Sequence, residues 1–580
     1  MASEIRYEPH EVPPLPLTLA LGMQYALLAI CGIIIVPTMM IRLGGQSEAY
    51  LSSAVFAALV ISAFSTFIQV VRVGRFGAGY ILLMGSTSSF LVVCVPALQQ
   101  GGPSLMAPLI VISALFQFTL SARLSFFRNL FTPTVAGTVL MLLPITIGPM
   151  IKKMLHTVPE GTPTEAAPVT AGITLLILVL LAVRGVGQWR LWAPVIALTI
   201  GSIIGGVWFG MYDTSRVAEA NWFGWPDLIY PGFDLSFGAE FWALLPAFIM
   251  VTFVGALDTI GDTIAMQRVA WRRPRAIDFR AIQGSLNADG LGNLLSGLAG
   301  TVPNSTYSLS SSVAQITGIA SRRVGIAVAA FFLLFALLPK VVAAVLAIPS
   351  PVIGAYLVVL LAMLFVTGLR ILIDEGLDYR TGVIVGFSFW TGTAVHFGWL
   401  FQELVSDQGT WGVLFSNGVT VGGILVMLLT AFVRVTSPRP RRLMTRLRAD
   451  AQPEIDAFLV EFAERRHWDP ALTDRLRGVG EEALQVLLMA PGHAADAGER
   501  QLLIVARADG PAVDLEFTVC SDAVNIEDQL SVLGQQEAQT PDEDEFSLRL
   551  LRHQASAVRH QQFHDTDVLL LRVGPEAAED

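Results

Sequence analysis

Two aspartates stand four residues apart in one long apolar segment of the chain. Asp258 and Asp262 belong to the run FWALLPAFIMVTFVGALDTIGDTIAMQR, residues 241–268. Residues at this spacing share one face of a helix. An aspartate at mid-membrane costs about 2.5–3.5 kcal/mol on insertion scales. Two carboxylates on one face therefore indicate a polar cavity, where either could bind solute N–H groups or carry a proton.

Other readings of the intramembrane acids remain open at this stage. Asp262 precedes Arg268 closely, so a solvated position near a helix end is the alternative for that side chain. Asp289, in SLNADGLGNLL, is a third candidate, and because it adjoins Gly290 we expect it to cap or pin a short interfacial helix.

Two apolar segments are interrupted by small polar residues at corresponding positions. The segment YILLMGSTSSFLVVCVPAL breaks at Gly85–Ser89, and GTVPNSTYSLSSSVAQITG is broken by Pro303 and a serine run. Paired interruptions of this kind favour a transporter site between inverted repeats, where free backbone groups and helix N-termini bind a small planar polar solute. The alternative is that Gly, Ser and Thr simply allow close helix packing.

The composition requires these elements to lie in a membrane domain. The 580 residues are 53% hydrophobic and only 14% charged, against about 25% charged in soluble domains. This excludes a large soluble enzyme and a disordered chain. Spans of about 20 apolar residues predict fourteen transmembrane segments, centred near residues 26, 61, 88, 115, 140, 176, 200, 253, 291, 311, 333, 361, 390 and 424.

The loop charges set the orientation and the repeat. With fourteen spans and both termini inside, the arginine-rich loops all fall on the cytoplasmic side. The densest loop holds Arg268, Arg272, Arg273, Arg275 and Arg280. Seven is odd, so two consecutive sets of seven spans have opposite orientations, as a 7+7 inverted repeat requires. We predict an inner-membrane, multi-pass protein in contact with the lipid bilayer.

The end of the chain is acidic and soluble in character. Residues 438–580 hold 15 basic and 27 acidic residues. The predicted domains are a cytoplasmic N-terminal segment (1–13), a transmembrane domain (14–437) and a cytoplasmic α+β domain (438–580). The three cysteines are far apart, so neither a disulfide framework nor a metal site is predicted. No cofactor is expected.

Eight motifs in register resemble the nucleobase–ascorbate transporters, also called xanthine/uracil permeases. The resemblance covers about residues 14–435. Its motifs are PLTLALGMQYALLAICGIIIVP (16–37), GSTSSF (85–90), TPTVAG (132–137), DTIGD (258–262), NADGLGN (287–293), PNSTYS (303–308), TGIASR (317–322) and IPSPVIGAYLVVL (348–360).

The resemblance implies a fold and an activity. It implies two intertwined seven-helix repeats, with a core (spans 1–4 and 8–11) that holds the substrate and a gate (spans 5–7 and 12–14) that forms a homodimer contact. The implied activity is proton-coupled symport of a nucleobase by elevator-type movement of the core against the gate. A purine such as xanthine or urate is favoured over uracil.

The resemblance also implies site residues. Asp258 would be the substrate carboxylate, and Asp262, together with Asp258, would serve proton coupling. The remaining substrate-site positions implied by the motifs are Gln24, Tyr25, Ser86, Thr87, Ser88, Tyr307, Ser308, Leu309 and Ser310.

Four positions depart from the family pattern. Asp258 stands where the family usually has Glu, and Tyr25 where it has His. Leu309 and Ser310 replace a Gln or Glu followed by Asn, so a second side-chain anchor for the base is missing. Loss of such a partner costs about 1–3 kcal/mol. The hydroxyls of Ser308, Ser310 and Ser311, or a water molecule, could replace it in part.

The soluble domain has a fainter resemblance. Its order of helices and strands resembles the ATPase-like domain of anti-sigma-factor kinases, with Gln485 four residues after Glu481 where that family has Asn. The Asp-x-Gly-x-Gly adenine motif is absent, which implies a degenerate relative without ATPase activity. An unrelated acidic regulatory domain is the alternative.

Several functions compete with nucleobase transport. An anion carrier on the same fold is disfavoured because Asp258 would repel an anion. A membrane sensor that reports solute through the soluble domain is a further alternative. The chain has no GxxxxGK[ST] loop, which disfavours an ATP-driven pump. No enzyme is predicted, because the sequence shows no complete nucleotide-hydrolysis site. Nucleic-acid binding is not predicted either, because the soluble domain is acidic.

Overall fold

The structure is a computed structural model in which the chain divides into two units. It describes residues 5–123, 132–226, 228–230, 232–273, 275–375, 378–400, 418–436, 440–466, 468–489, 500–509, 512–519, 543–562 and 567–574. One unit comprises Met1–Arg272 and Gly284–Ala431, and the other comprises Arg273–Gln283 and Phe432–Asp580. The predicted domain boundary at 437/438 lies outside the described residues.

The first unit is built almost entirely from helices. In chain order its elements are α1 (Leu15–Leu43), α2 (Glu48–Val71), β1 (Met84–Ser86), α3 (Leu91–Ala122), α4 (Pro133–His156), α5 (Ala166–Arg184), α6 (Gln188–Phe209), α7 (Thr214–Glu219), α8 (Ala239–Val269), α9 (Phe279–Leu298), β2 (Asn304–Thr306), α10 (Leu309–Thr317), α11 (Arg322–Ala336), α12 (Pro339–Leu346), α13 (Ser350–Glu375), α14 (Tyr379–His396) and α15 (Gly418–Thr436).

The helices identify a polytopic membrane protein. Among the described residues, eight helices are long and apolar enough to cross a membrane, and α11 with α12, bent by 81°, forms a ninth candidate. A helix, or a strand followed by a helix, occupies each of the fourteen predicted centres. The centre near 88 falls in a short 3-10 turn that leads into α3, and the centre near 115 falls in α3 itself, which kinks at Gly102, whose φ is 69°. The coarser prediction of a helical membrane fold is therefore confirmed.

Helix packing divides the first unit into two groups. Helix α4 packs against α13, α14 and α5, and α5 packs against α6. Separately, α1 and α2 pack against α11, and α3 packs against α8. A continuous cluster of buried apolar side chains joins the groups, with Phe248 and Val251 of α8 beside Leu143 of α4 and Leu357 of α13.

The two interrupted segments meet as a short antiparallel strand pair. Strand β1 pairs with β2 in the register Met84↔Thr306, Gly85↔Ser305 and Ser86↔Asn304. All six residues are buried. Two further backbone hydrogen bonds extend the pairing, from Thr87 N to Pro303 O (3.1 Å) and from Tyr307 N to Leu83 O (2.9 Å). Each strand runs directly into a helix, so two helix N-termini lie beside the pair.

Tyr307 holds the strand pair together through close packing. Its hydroxyl donates to the carbonyl of Ser86 at 2.9 Å. The ring occupies space that only glycine leaves open, because a Cβ on Gly85 would lie 2.7 Å from Tyr307 Cε2, and one on Gly32 would lie 3.0 Å from the hydroxyl. Helix α1 and strand β1 thus form a slot for the tyrosine ring.

The N-terminal segment is tied back onto the first unit. The amides of Arg6 and Tyr7 donate to Gly318 O, at 2.6 and 3.2 Å, and Ala320 N donates to Tyr7 O at 2.8 Å. The Arg272 guanidinium donates to both oxygens of Glu11, at 2.8 and 2.6 Å. This contact holds the pKa of the Glu11 carboxyl below its usual value. Residues 5–13, which we call the N-terminal strap, therefore join the end of α8 to the turn between α10 and α11.

The second unit contains an antiparallel sheet covered by helices. Its elements are β3 (Arg441–Arg446), α16 (Gln452–Glu464), α17 (Pro470–Met489), β4 (Gln501–Asp509), β5 (Ala512–Val519), α18 (Glu543–Gln554), β6 (Ala557–Gln562) and β7 (Asp567–Val573). The strand order is β3-β4-β5-β7-β6, with every pair antiparallel. The sequence pattern predicts α16, α17, β4, β5 and β7. It does not predict β3, β6 or α18, and the first residues of α18 belong to QEAQTPDEDEF, which it predicts to be an acidic loop.

The slot for Tyr307 yields a stability prediction. We expect Gly85→Ala to lower the melting temperature, since added bulk in a packed interior costs about 1–3 kcal/mol. The control is Gly172→Ala in α5, where a Cβ meets nothing within 4 Å. It should leave the melting temperature unchanged or raise it, because alanine favours a helix. Equal melting temperatures for the two variants, in detergent by tryptophan fluorescence, would contradict the slot.

The N-terminal strap yields a second prediction. Arg272→Gln removes both hydrogen bonds to Glu11, so amide hydrogen exchange at residues 5–11 should become faster. The control is Arg273→Gln, an exposed neighbour without an ion pair among the described residues. Because the pKa of Glu11 is lowered in the folded protein, the attachment is fully present above the usual value of 4.5 and is lost as the pH falls through the folded pKa. Exchange that is equally slow in both variants would show that Arg272 does not hold the strap.

Candidate functional site

Asp262 lies against the second interrupted segment rather than in solvent. The side chain is buried, at 8% exposure. Its two oxygens accept hydrogen bonds from the hydroxyls of Thr306, at 2.7 Å, and Ser308, at 2.6 Å. The alternative of a solvated helix end is therefore wrong for this aspartate. Helix α8 is instead joined to the transition from β2 to α10.

Asp258 stands one helical turn before Asp262 and is half-buried. In contrast to Asp262, its carboxylate has no hydrogen-bond partner among the described residues. An unpaired carboxylate within a membrane-spanning helix has a high free-energy cost unless something binds it. Asp258 is therefore open to a ligand, whereas both carboxylate oxygens of Asp262 are occupied by hydrogen bonds within the protein.

Asp289 is part of a buried network, and the expected helix-capping role is wrong. It lies in the interior of α9 and is 1% exposed. Its Oδ2 accepts hydrogen bonds from Gln117 Nε2 and Thr259 Oγ1, both at 2.8 Å. Its Oδ1 is buried without a partner among the described residues. The carboxylate thus connects α3, α8 and α9 through contacts far apart in sequence.

The same network continues from Asp289 to the strand pair. Asn293 Nδ2 donates to Gln117 Oε1 at 3.0 Å, and the amide of Asn304 donates to Asn293 Oδ1 at 2.8 Å. The Asn304 side chain donates in turn to Ser65 Oγ at 3.2 Å. These bonds hold the outer edge of β2 against α2 and α9.

The predicted residues of the first interrupted segment serve mainly to shape the backbone. Ser86 is buried and donates to Ile33 O in α1 at 3.2 Å. Thr87 Oγ1 accepts a hydrogen bond from Ser89 N at 3.4 Å, and Ser88 begins the short 3-10 turn that leads into α3. The hydroxyls of Ser86 and Thr87 are therefore paired in this conformation, while Thr87 and Ser88 remain half-buried.

Tyr25 and Ser310 are fully buried in this conformation. Tyr25 is fully buried, and its hydroxyl donates to Ser310 O at 3.3 Å. Ser310 Oγ accepts from Leu83 N at 2.9 Å and donates to Tyr307 O at 2.8 Å. Its hydroxyl thus bridges Leu83, just before β1, and Tyr307, just after β2.

Gln24 and Leu309 are less constrained. Both are half-buried, Leu309 as the first residue of α10. Neither side chain has a hydrogen bond within the described parts of the chain. Leu309 cannot donate or accept one at all, so the position offers a ligand only apolar contact.

This arrangement suits a small polar solute with N–H donors. Asp258 supplies an open carboxylate, and the two helix N-termini beside the strand pair supply partial positive charge. A planar ring with both donors and acceptors can use both. Within the described residues, no group of three or more Asp, Glu, His or Cys side chains is arranged to bind a metal ion.

Sequence reasoning missed several members of the site. Thr306 and Thr259 bind aspartates directly, and Gln117 and Asn293 lie deep in the network. A signal was present for Gln117, because it is the one amide in the apolar run LIVISALFQFTL. The partner of such a residue cannot be read from spacing, since Gln117 and Asp289 are 172 residues apart.

Known proteins resemble this chain over most of its length. The xanthine permease XanP of Escherichia coli (strain K12) is 29% identical over 453 residues, which cover 74% of this chain and 94% of XanP. The xanthine permease XanQ of the same organism is 26% identical over 451 residues, or 74% of this chain and 93% of XanQ. A uracil permease of Bacillus caldolyticus is 26% identical over 304 residues, or 51% of this chain and 69% of that protein.

A solved structure shares the fold. The murine anion transporter Slc26a9, in its inward-facing state, superposes with a TM-score of 0.50 at 13% identity, covering 75% of this chain and 71% of that chain. At this level of identity the likeness concerns the fold alone.

A family model covers the membrane unit. Residues 17–400 match the model of the permease family that bears the name of xanthine and uracil permeases. The interrupted segments, the aspartates of α8 and the network around Asp289 all fall within this range. The chain therefore belongs to the xanthine/uracil permease (nucleobase–ascorbate transporter) family, and is a multi-pass membrane transporter rather than an enzyme.

Proposed function

We propose that this transporter is a proton-coupled symporter of a nucleobase, with a purine such as xanthine as the preferred substrate. The observation that carries the proposal is the open carboxylate of Asp258, one turn from the fully hydrogen-bonded Asp262. Ring N–H groups of a nucleobase would donate to Asp258. The purine preference is supported by the similarity to XanP and XanQ, which are named xanthine permeases.

The proposed mechanism is elevator-type alternating access between a core and a gate. Its architecture is fourteen segments in a 7+7 inverted repeat, with the strand-bearing third and tenth segments equivalent. The antiparallel pairing of β1 with β2 supports the repeat, because inverted halves meet in opposite directions. The packing of α4, α5, α13 and α14, apart from that of α1, α2 and α11, supports separate gate and core groups. The gate would form the homodimer contact.

The proton would move with the substrate through the aspartates of α8. Asp258 is the free carboxylate, and Asp262 lies one turn away, bonded to Thr306 and Ser308. Binding of a solute N–H at Asp258 would change the electrostatic potential at Asp262, one helical turn away. Both side chains would therefore take part in coupling, with Asp258 in direct contact with the base.

The proposed location is the inner membrane with both termini in the cytoplasm. The clustering of arginines in alternate loops supports this orientation. The proposed domains remain a short N-terminal segment (1–13), the transporter (14–437) and a cytoplasmic α+β domain (438–580), which would not hydrolyse ATP.

The first test is thermal stabilisation of the purified protein by a panel of purines, pyrimidines, ascorbate and small anions. A ligand of the native state raises apparent stability by about 2.7 kcal/mol at one hundred times its Kd. A shift with one nucleobase would support the proposal. A shift only with an anion would replace it with anion transport on the same fold.

Asp258→Asn should abolish the shift and the uptake of the base. Because Asp258 has no hydrogen-bond partner among the described residues, the melting temperature without ligand should stay the same or rise slightly. The matched variant is Asp289→Asn, which disturbs the bonds to Gln117 and Thr259 and should lower that melting temperature. Full uptake by Asp258→Asn would remove this residue from the mechanism.

Leu309→Gln tests whether the family's second anchor can be restored. A side-chain hydrogen bond to a buried polar solute contributes about 1–3 kcal/mol, so affinity for the base should rise by about tenfold. Leu309→Met, of similar volume without an amide, is the control. Affinity that is unchanged in both variants would show that the base does not reach the start of α10.

A further inference from the structure

The outer face of the sheet in the second unit is basic, although the unit as a whole is acidic. Side chains alternate along each strand, and the register places Leu443, Ile504, Phe517 and Leu569 on the helix-covered face. The opposite face carries five arginines, Arg442, Arg446, Arg507, Arg559 and Arg572. The same alternation places three acids there, Asp509, Asp514 and Glu516.

The helical layer has the opposite charge. Helices α16, α17 and α18 together hold ten Asp and Glu residues against four Arg. By sequence the three helices are therefore net acidic, whereas the outer face of the sheet is net basic. Such a division gives the sheet face a positive potential that attracts an anionic surface.

Most arginines of the sheet face are unpaired. Arg572 lies 3.8 Å from Asp514. The other four have no ion pair or hydrogen bond within the described parts of the chain. A cavity of about 310 Å³ is lined by three arginines, Arg507, Arg559 and Arg572, by the acids Asp514 and Glu516, and by apolar residues such as Val505 and Leu570. Met444, between Arg442 and Arg446 on β3, is 65% exposed. The face thus combines free guanidinium groups with exposed apolar side chains.

A short connection joins β3, which carries Arg442 and Arg446, to helix α15. Helix α15 ends at Thr436 and β3 begins at Arg441. Four connecting residues allow a separation of at most about 18 Å. Basic residues this close to a membrane-spanning helix are attracted to anionic lipids of the cytoplasmic leaflet by about 1 kcal/mol each.

We propose that this arginine face binds the headgroups of anionic phospholipids, docking the C-terminal domain on the cytoplasmic leaflet. The guanidinium groups would form bidentate hydrogen bonds to lipid phosphates. The Met444 side chain would insert among the headgroups. The inference rests on the cytoplasmic location given under the proposed function. It does not depend on which solute is transported.

The test is photo-crosslinking of the full-length protein with p-benzoylphenylalanine in place of Met444. The protein is reconstituted in vesicles of phosphatidylcholine, alone or with roughly one third phosphatidylglycerol. We expect phosphatidylglycerol adducts, identified by mass, in the mixed vesicles. They should be lost at about 1 M salt, where the Debye length is about 3 Å. The same residue at Ala471, which is exposed on α17, should give none.

A charge variant completes the test. R507Q/R559Q removes two unpaired arginines and should lower the adduct yield by about fivefold or more. R465Q/R466Q, an equal charge change at the end of α16, should leave it unchanged. Adducts to protein alone, or equal lipid yields in R507Q/R559Q and the parent, would overturn the proposal. Solute uptake by the same vesicles reports separately on the proposed function.

Discussion

Non-helical backbone inside a membrane must find all of its hydrogen bonds within the protein, and the strand pair β1–β2 meets this requirement. The two strands satisfy each other along their shared edge. Side chains satisfy groups on the outer edges, where Thr66 accepts from Met84 N and Asn293 from Asn304 N, and Ser310 accepts from Leu83 N at the end of the pair. Without these acceptors the two segments could not leave the helical conformation at this depth, and no helix N-termini would face the site.

The aspartates depend on the same strand pair. Thr306 ends β2 and Ser308 follows it, and both donate to Asp262. Asp289 supports the pair from the other side through Gln117 and Asn293. Two of the three acids are thus occupied with holding the backbone. The third, Asp258, is left open, which is why the site offers one carboxylate to a ligand.

The sequence predicts those features that depend on local pattern. The apolar segments, the two interruptions and the shared face of Asp258 and Asp262 follow from residue type and spacing. Asp289 was misread because only Gly290, its neighbour in sequence, could be seen, whereas Gln117 lies 172 residues away. Strand β3 was missed because RRLMTR reads as a basic flank of the membrane helix rather than as alternating strand positions.

The slot for Tyr307 shows a similar limit. The sequence contains Gly32 and Gly85 but does not reveal that one tyrosine ring fills the space beside both. Close packing between distant segments becomes visible only once the chain has folded. The same holds for Tyr25, which its sequence position suggests as a ligand contact but which lies buried behind α10.

The strap also sets an order of assembly. Residues 5–13 leave the ribosome before the helices they attach to: their partner Arg272 lies more than 250 positions later, and Gly318 and Ala320 later still. Since chains are synthesised from the N-terminus at about 5–20 residues per second, the strap waits many seconds for its binding surface. It can close only after α11 has begun to emerge. A closed strap is therefore a mark that the chain has been synthesised past α10 and that the end of α8 and the turn after α10 have reached the N-terminal segment.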